Sequence, residues 1–211
     1  VRRFPALVPV APGMDGVEVS VRAAQFFREQ WGGRSFMAIG MQDPVLGAPV
    51  MKALARTIRG CPAPLELLQQ IAGAGWHVHP HIEGKYLPEL LPILENVGVK
   101  IVVDHLGRPG VDDAVGSAGF RAVVDSVKRG NSWIKVSCGY RIGQRAEEHF
   151  AGFLHELGPD RMFWASDCPF VGHENQFAYA DTIKWLTDRV TDKTIGRKLL
   201  GGNARVFYGF D

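Results

Sequence analysis

Four short apolar runs punctuate the later part of the chain: Trp76–Ile82, Lys100–His105, Trp133–Cys138 and Met162–Asp167. Each is rich in Val, Ile or aromatic residues and is bounded by Gly or Pro, which predicts strands. Between them, apolar residues recur at helical spacing. Leu87, Leu90, Leu91 and Leu94 fall on one face of residues 87–96, and Phe120, Val123, Val124 and Val127 on one face of 118–129. Phe150, Phe153 and Leu154 do the same in 146–157, and two more helices are expected over about 175–190 and up to Tyr208. Strand followed by helix at this spacing predicts βα units and hence a parallel sheet. The nearly continuous apolar character of the strands suits a sheet covered on both faces.

Such a sheet is either open and doubly wound or closed into a barrel. No glycine-rich phosphate loop follows any of the strands, which counts against a nucleotide-binding open sheet. Polar residues instead gather at several different strand C-termini, as they do in barrel enzymes. Residues 1–61 are less regular: Ala6–Val10 and Phe36–Met41 could be strands and Val50–Ile58 a helix, with Pro, Gly and Met between them. There is no internal repeat, low-complexity tract or clear linker.

Composition narrows the function classes. The chain has 211 residues, 46% of them apolar and 22% charged, as in an ordinary globular domain. Lys and Arg number 24 against 22 Asp and Glu, so a net charge of +2 gives no reason to expect nucleic acid or an anionic membrane as partner. No apolar run approaches the ~20 residues that cross a bilayer, and Val1–Pro5 opens no signal peptide. Cys61, Cys138 and Cys168 are widely spaced and odd in number, which reads as reduced thiols in a cytoplasmic protein.

The chemistry concentrates in the strands. In Trp76–Ile82 alternation puts His77, His79 and His81 on one face, where imidazoles would need polar partners. The plainer reading makes His77 structural and leaves only one or two of the others at a site. His105 closes an apolar strand, Gly107 permits a sharp turn, and Arg108 could grip a carboxylate with its planar fork. Asp167 also closes an apolar strand, a costly place for a carboxylate that is not ligated, hydrogen-bonded or functional, although an N-cap would explain it too. Lys135 and Ser137 share a face, and Tyr140 and Arg141 follow in the loop.

Five segments in order, WHVHPH, VVDHLGRP, WIKVSCGYR, GPDRMFWASDCPF and NARVFYGF, resemble the amidohydrolase superfamily from about Pro62 to Phe210. The branch they resemble is that of lactonases similar to 2-pyrone-4,6-dicarboxylate lactonase and the muconolactone hydrolases. The resemblance implies a distorted (β/α)8 TIM-like barrel, a single domain over 1–211, in which residues 62–211 carry strands five to eight. It implies a hydrolase that opens a small carboxylated lactone, with Asp167 as the base that activates water. His105 and His81 would donate to the carbonyl oxygen. Arg108, Arg141, His79 and Ser137 would bind the substrate. His105 and Asp167 would become ligands wherever a divalent metal such as zinc is used, although this branch can work without one.

The chain departs from the family pattern in one respect. The strand-one His-x-His pair has no counterpart in residues 1–60, where there is no histidine. A complete barrel takes about 250 residues, so the segment before Pro62 is expected to be an incomplete N-terminal part. Two further readings follow: a zinc-dependent decarboxylase of the same superfamily, and a catalytically silent barrel that binds carboxylates. Neither substrate identity nor oligomeric state is legible.

Overall fold

A computed structural model describes residues 68–209, apart from 70, 71, 74, 76, 169, 171 and 174. The elements expected at 6–10, 36–41 and 50–58 therefore lie outside the described residues. Four strands form one parallel sheet in sequence order: β1 (His77–Val78), β2 (Lys100–Val103), β3 (Ser132–Val136) and β4 (Met162–Trp164). Val78 pairs with Ile101, Val102 with Trp133 and Lys135 with Phe163, so the alternation of the strands is in phase across the sheet.

The crossovers are helical. Helix α1 (Leu87–Val97) buries Leu87, Leu90, Leu91 and Leu94 and stops at Gly98, whose φ of 78° only glycine adopts without strain. Helix α2 (Ala118–Arg129) starts on Ser117, whose hydroxyl accepts from the Phe120 N–H, and ends at Gly130 with φ 100°. After β3 come a single turn, α3 (Gly139–Ile142), and α4 (Gln144–Leu157). Helix α5 (Tyr179–Thr187) follows β4, and α6 (Lys193–Arg197) runs through a π-helical turn into α7 (Asn203–Tyr208).

Two apolar layers follow from the pleat. Ile101, Val103, Ile134, Val136 and Met162 face the helices and pack with Leu87, Leu91, Phe120, Val123 and Phe153. Val102, Trp133 and Phe163 point the other way, onto Phe207 of α7. Each of these side chains contributes about 1.5–3 kcal/mol by leaving water. The second face is the one that carries the polar residues at the strand ends.

Several expected boundaries are corrected. Among the described residues, the strand predicted over Trp76–Ile82 is regular at His77–Val78 and does not run on through Pro80, which has no N–H to give a ladder. The other three strands also end early, at Val103, Val136 and Trp164, where the chain turns into left-handed residues. The helix expected over 175–190 begins only at Tyr179, held by the Asp181 carboxylate that accepts from the Ala178 N–H. Helix α4 starts two residues before Ala146, and α3 was not expected at all.

Candidate active site

The C-terminal ends of β1 to β4 bring His79, His81, Asp104, His105, Lys135, Ser137, Cys138, Tyr140, Arg141 and Asp167 together. His77 sits lower, its ring centroid 5.1 Å from that of Phe207 and 4.8 Å from that of His79. It is thus part of the packed layer, in line with the structural reading of that residue. Burial, with help from the charge of Lys100, lowers its pKa to about 4. His79 is buried above it with Nε2 unpartnered among the described residues, and burial followed by the charges of His77 and Lys135 takes its pKa down to about 3.

Asp104 is the hub. Its Oδ2 lies 2.9 Å from His81 Nδ1 and 3.2 Å from His105 Nε2, while Oδ1 is ion-paired with the Lys135 ammonium. Burial by itself would favour the neutral acid. The hydrogen bond from His81, the neighbouring His105 imidazole and the Lys135 ammonium outweigh it and hold Asp104 well below the carboxylate range.

Asp167 is the second carboxylate. The Tyr140 hydroxyl donates to its Oδ2 at 2.7 Å, Arg141 Nε stands 3.5 Å from the same oxygen, and His105 Nε2 is 3.6 Å from Oδ1. Burial again opposes ionisation, but the Tyr140 hydrogen bond and the His105 side win, so the Asp167 pKa is lowered. Tyr140 is correspondingly pushed far up, first by burial and then by that bond. Cys138 is also raised, by burial and by the adjacent Asp167 charge, which keeps it a thiol.

His105 lies between the two carboxylates, and burial, aided by Lys135, lowers its pKa to about 4 against their pull. A neutral imidazole carries one N–H, and a carboxylate oxygen only accepts. The two carboxylates facing Nε2 therefore place the proton there, and Nδ1 accepts from the Ser137 hydroxyl at 2.7 Å. Arg108 is half-buried with φ 43°, and its guanidinium has no hydrogen-bond or ion-pair partner among the described residues. His173 stays outside the cluster, in a loop against the Tyr140 ring at 5.3 Å.

Of the residues singled out from sequence, His79, His81, His105, Ser137, Arg141 and Asp167 converge on this cluster. Arg108 sits three residues beyond His105, with no contact that ties its side chain to the others. Asp104 and Cys138 were not foreseen, and Tyr140 and Lys135 were noted without a role. The signal for Asp104 was available: it is in phase with Val102 and ends an apolar strand, the same argument that marked Asp167.

His105, Cys138 and Asp167 bring an imidazole nitrogen, a thiol and a carboxylate oxygen within 4.8 Å of one another, as do His81, Asp104 and His105 in imidazole and carboxylate atoms. The first set fits a single zinc ion in donor type, with three protein ligands leaving a position open. In the second set, the Lys135 ammonium already compensates Asp104.

A parallel sheet with a polar cluster at its strand ends is the frame of a barrel-type enzyme site. The amidohydrolase family profile matches residues 28–210, and the chain belongs to that family. It is 35% identical over 119 residues to a 2-pyrone-4,6-dicarboxylate hydrolase of Comamonas testosteroni, covering 50% of this chain and 39% of the relative. It is 28% identical over 141 residues to a 4-sulfomuconolactone hydrolase of Rhizobium radiobacter, covering 63% and 47%. The chain thus spans less than half the length of these curated relatives. Among solved structures, a probable 2-pyrone-4,6-dicarboxylic acid hydrolase from Acinetobacter baumannii, with citric acid bound, superposes with a TM-score of 0.67 at 20% identity, over 96% of this chain and 94% of that one. That likeness shows a TIM-barrel-like α/β fold. Among the described residues no helix is long and apolar enough to cross a membrane.

Proposed function

We propose that this chain is a hydrolase that opens a small carboxylated lactone, and that its four strands are the last four of a distorted (β/α)8 barrel forming one domain. The observation that carries the reading is the state of Asp167. It is an ionised carboxylate with one oxygen held by Tyr140 and the other facing His105. Asp167 takes a proton from water, and the hydroxyl oxygen adds to the lactone carbonyl carbon. The ring C–O bond then breaks, and the proton passes from Asp167 to the departing ring oxygen. His105 Nε2–H, 3.6 Å from that carboxylate, offsets the negative charge that develops on the carbonyl oxygen. Arg108 and Arg141 hold substrate carboxylates and orient the ring, with His79 and Ser137 in the wall. The relatives named for pyrone dicarboxylate and sulfomuconolactone hydrolysis support this substrate class.

The test is turnover of 2-pyrone-4,6-dicarboxylate followed by loss of the pyrone absorbance. Asp167→Asn is expected to lower kcat by about 10²–10⁴-fold, the usual worth of a general base. A variant within tenfold of the parent chain would sink the proposal.

The cluster of His105, Cys138 and Asp167 favours a second reading, a zinc-dependent decarboxylase. Those three residues would hold the ion, which when bound supplies Lewis acidity and a more acidic water. One zinc per chain in metal analysis, with decarboxylation of an aromatic acid, would select it over the lactonase.

A further inference from the structure

We propose that Asp104 is a positioning residue that fixes opposite tautomers in the two imidazoles of the site, making His105 a donor and His81 an acceptor. The role of His81 rests on the hydrolase reading above; the tautomers do not.

One buried oxygen does the work. Asp104 Oδ2 meets both His81 Nδ1 at 2.9 Å and His105 Nε2 at 3.2 Å, and the two rings stand nearly perpendicular, at 88°, with centroids 4.9 Å apart. A carboxylate has no hydrogen to give, so both nitrogens that face it carry one. In a neutral ring the other nitrogen is then a lone pair. For His105 this is Nδ1, which is satisfied by the Ser137 hydroxyl. For His81 it is Nε2, and the His81 side chain is the more open of the two, at 19% exposure against 5%. Lys135 completes the device. Its ammonium holds the other Asp104 oxygen, which keeps the carboxylate charged and its orientation fixed although it is buried.

His81 thereby presents an acceptor at the mouth, not the carbonyl donor that the family resemblance suggests. An acceptor there takes a hydrogen bond from the attacking water and turns a lone pair of that water toward the substrate, while Asp167 removes the other proton. Asp104 touches neither water nor substrate. It acts through the two rings, as the third member of a catalytic triad acts through its histidine.

The experiment is nitrogen NMR of the full chain labelled with ¹⁵N-histidine near pH 7.5. His81 is expected to carry its proton on Nδ1, against the Nε2–H form that imidazoles usually favour in water. Asp104→Asn gives the sharpest contrast. Lys135 requires the amide oxygen on its own side, which turns the amide NH₂ toward the imidazoles and inverts the His81 tautomer, while Asp167 still faces His105 Nε2. In the same variant, kcat for 2-pyrone-4,6-dicarboxylate should fall ~100-fold with KM within about threefold, since proton handling and not binding is lost. A proton on His81 Nε2 in the parent chain, or an unchanged His81 tautomer in Asp104→Asn, overturns the proposal. If the variant does not fold, the parent spectrum alone decides. Absence of pyrone turnover in the parent chain would count against the hydrolase reading and leave the tautomer result standing.

Discussion

Lowering the pH from about 7.5 to about 5.5 interrogates four imidazoles at once. Burial holds His77 and His105 at about 4 and His79 at about 3, and it also lowers His149, which is 2% exposed in the core. In the unfolded chain each titrates near 6.5. Below that pH the unfolded state takes up protons that the folded state refuses. The stability tied to these groups is therefore complete above about 6.5 and is lost as pH falls toward about 4. One unit below 6.5, His77, His79 and His105 have each cost about 1.4 kcal/mol and together about 4 kcal/mol, with His149 acting in the same direction. That is a large part of the ~5–15 kcal/mol of a typical domain. Urea unfolding followed by tryptophan fluorescence at stepped pH measures it, because the slope of stability against pH counts protons. His149→Phe isolates one of the four. Both ring nitrogens of His149 lack partners among the described residues, and the ring is stacked with Phe120 and Phe153 at centroid distances of 5.3 and 5.9 Å. A small cavity lined by Leu106, Gly107, Pro109, Asp113, Ser117 and Val123 lies beside it. The variant should be about 1–3 kcal/mol more stable at neutral pH and should take up one proton fewer. A stability that stays flat between about 7.5 and 5.5, or a less stable His149→Phe, would contradict the cost assigned to the buried imidazoles.

Tyr140→Phe removes the hydroxyl that donates to Asp167 at 2.7 Å. The acidic limb of kcat/KM should then move to higher pH, because a group that favoured the carboxylate is gone; an unmoved limb contradicts that coupling. Arg108→Ala should raise KM for a dicarboxylate about tenfold or more and leave kcat nearly unchanged. Arg141→Ala, which also loses a contact to Asp167, should lower kcat as well; steady-state kinetics separates the two. Gly119→Ala would place a Cβ 2.5 Å from the Gly84 carbonyl oxygen, so a loss of about 1–3 kcal/mol is expected in thermal unfolding.

The parallel sheet and helices α1, α2 and α4 were legible because their apolar faces repeat cleanly. Leu87, Leu90, Leu91 and Leu94 are all buried, as are Phe120, Val123, Val124 and Val127. The turn at 139–142 was not, since Gly-Tyr-Arg-Ile is too short to show a period. Gly139 is there for space: a Cβ on it would lie 2.8 Å from the Trp185 ring. The site was half legible. Alternation in phase with the strands found His79, His81, Ser137 and the strand-closing Asp167, but a period of two admits only one of any two consecutive residues to a given face. Strand alternation alone thus points to one of Asp104 and His105, and to one of Ser137 and Cys138, where the site holds both members of each pair.

The structure breaks that rule at the places where the chemistry gathers. Val102 and Asp104 point to one face of the sheet, so an extended His105 would turn toward the helices. Its φ of 48° instead swings it back, and its Nε2 comes within 3.2 Å of the residue before it. Cys138, with φ 64°, does the same after Ser137 and reaches Asp167, whose own φ is 61°. A left-handed residue other than glycine costs roughly 1–2 kcal/mol, and Leu106 and Arg108 in the turn after His105 are left-handed too. Such a cost at three adjacent strand ends persists only when the surroundings determine it. Leu106, 1% exposed in the helix-facing core, supplies the apolar part of that support, and the hydrogen bonds of His105 and Asp167 supply the rest. At the ends of β2 and β3 the reversals bring two consecutive side chains to one point, Asp104 with His105 and Ser137 with Cys138. That is how four short strands concentrate two carboxylates, three imidazoles, a lysine and a thiol within reach of one another.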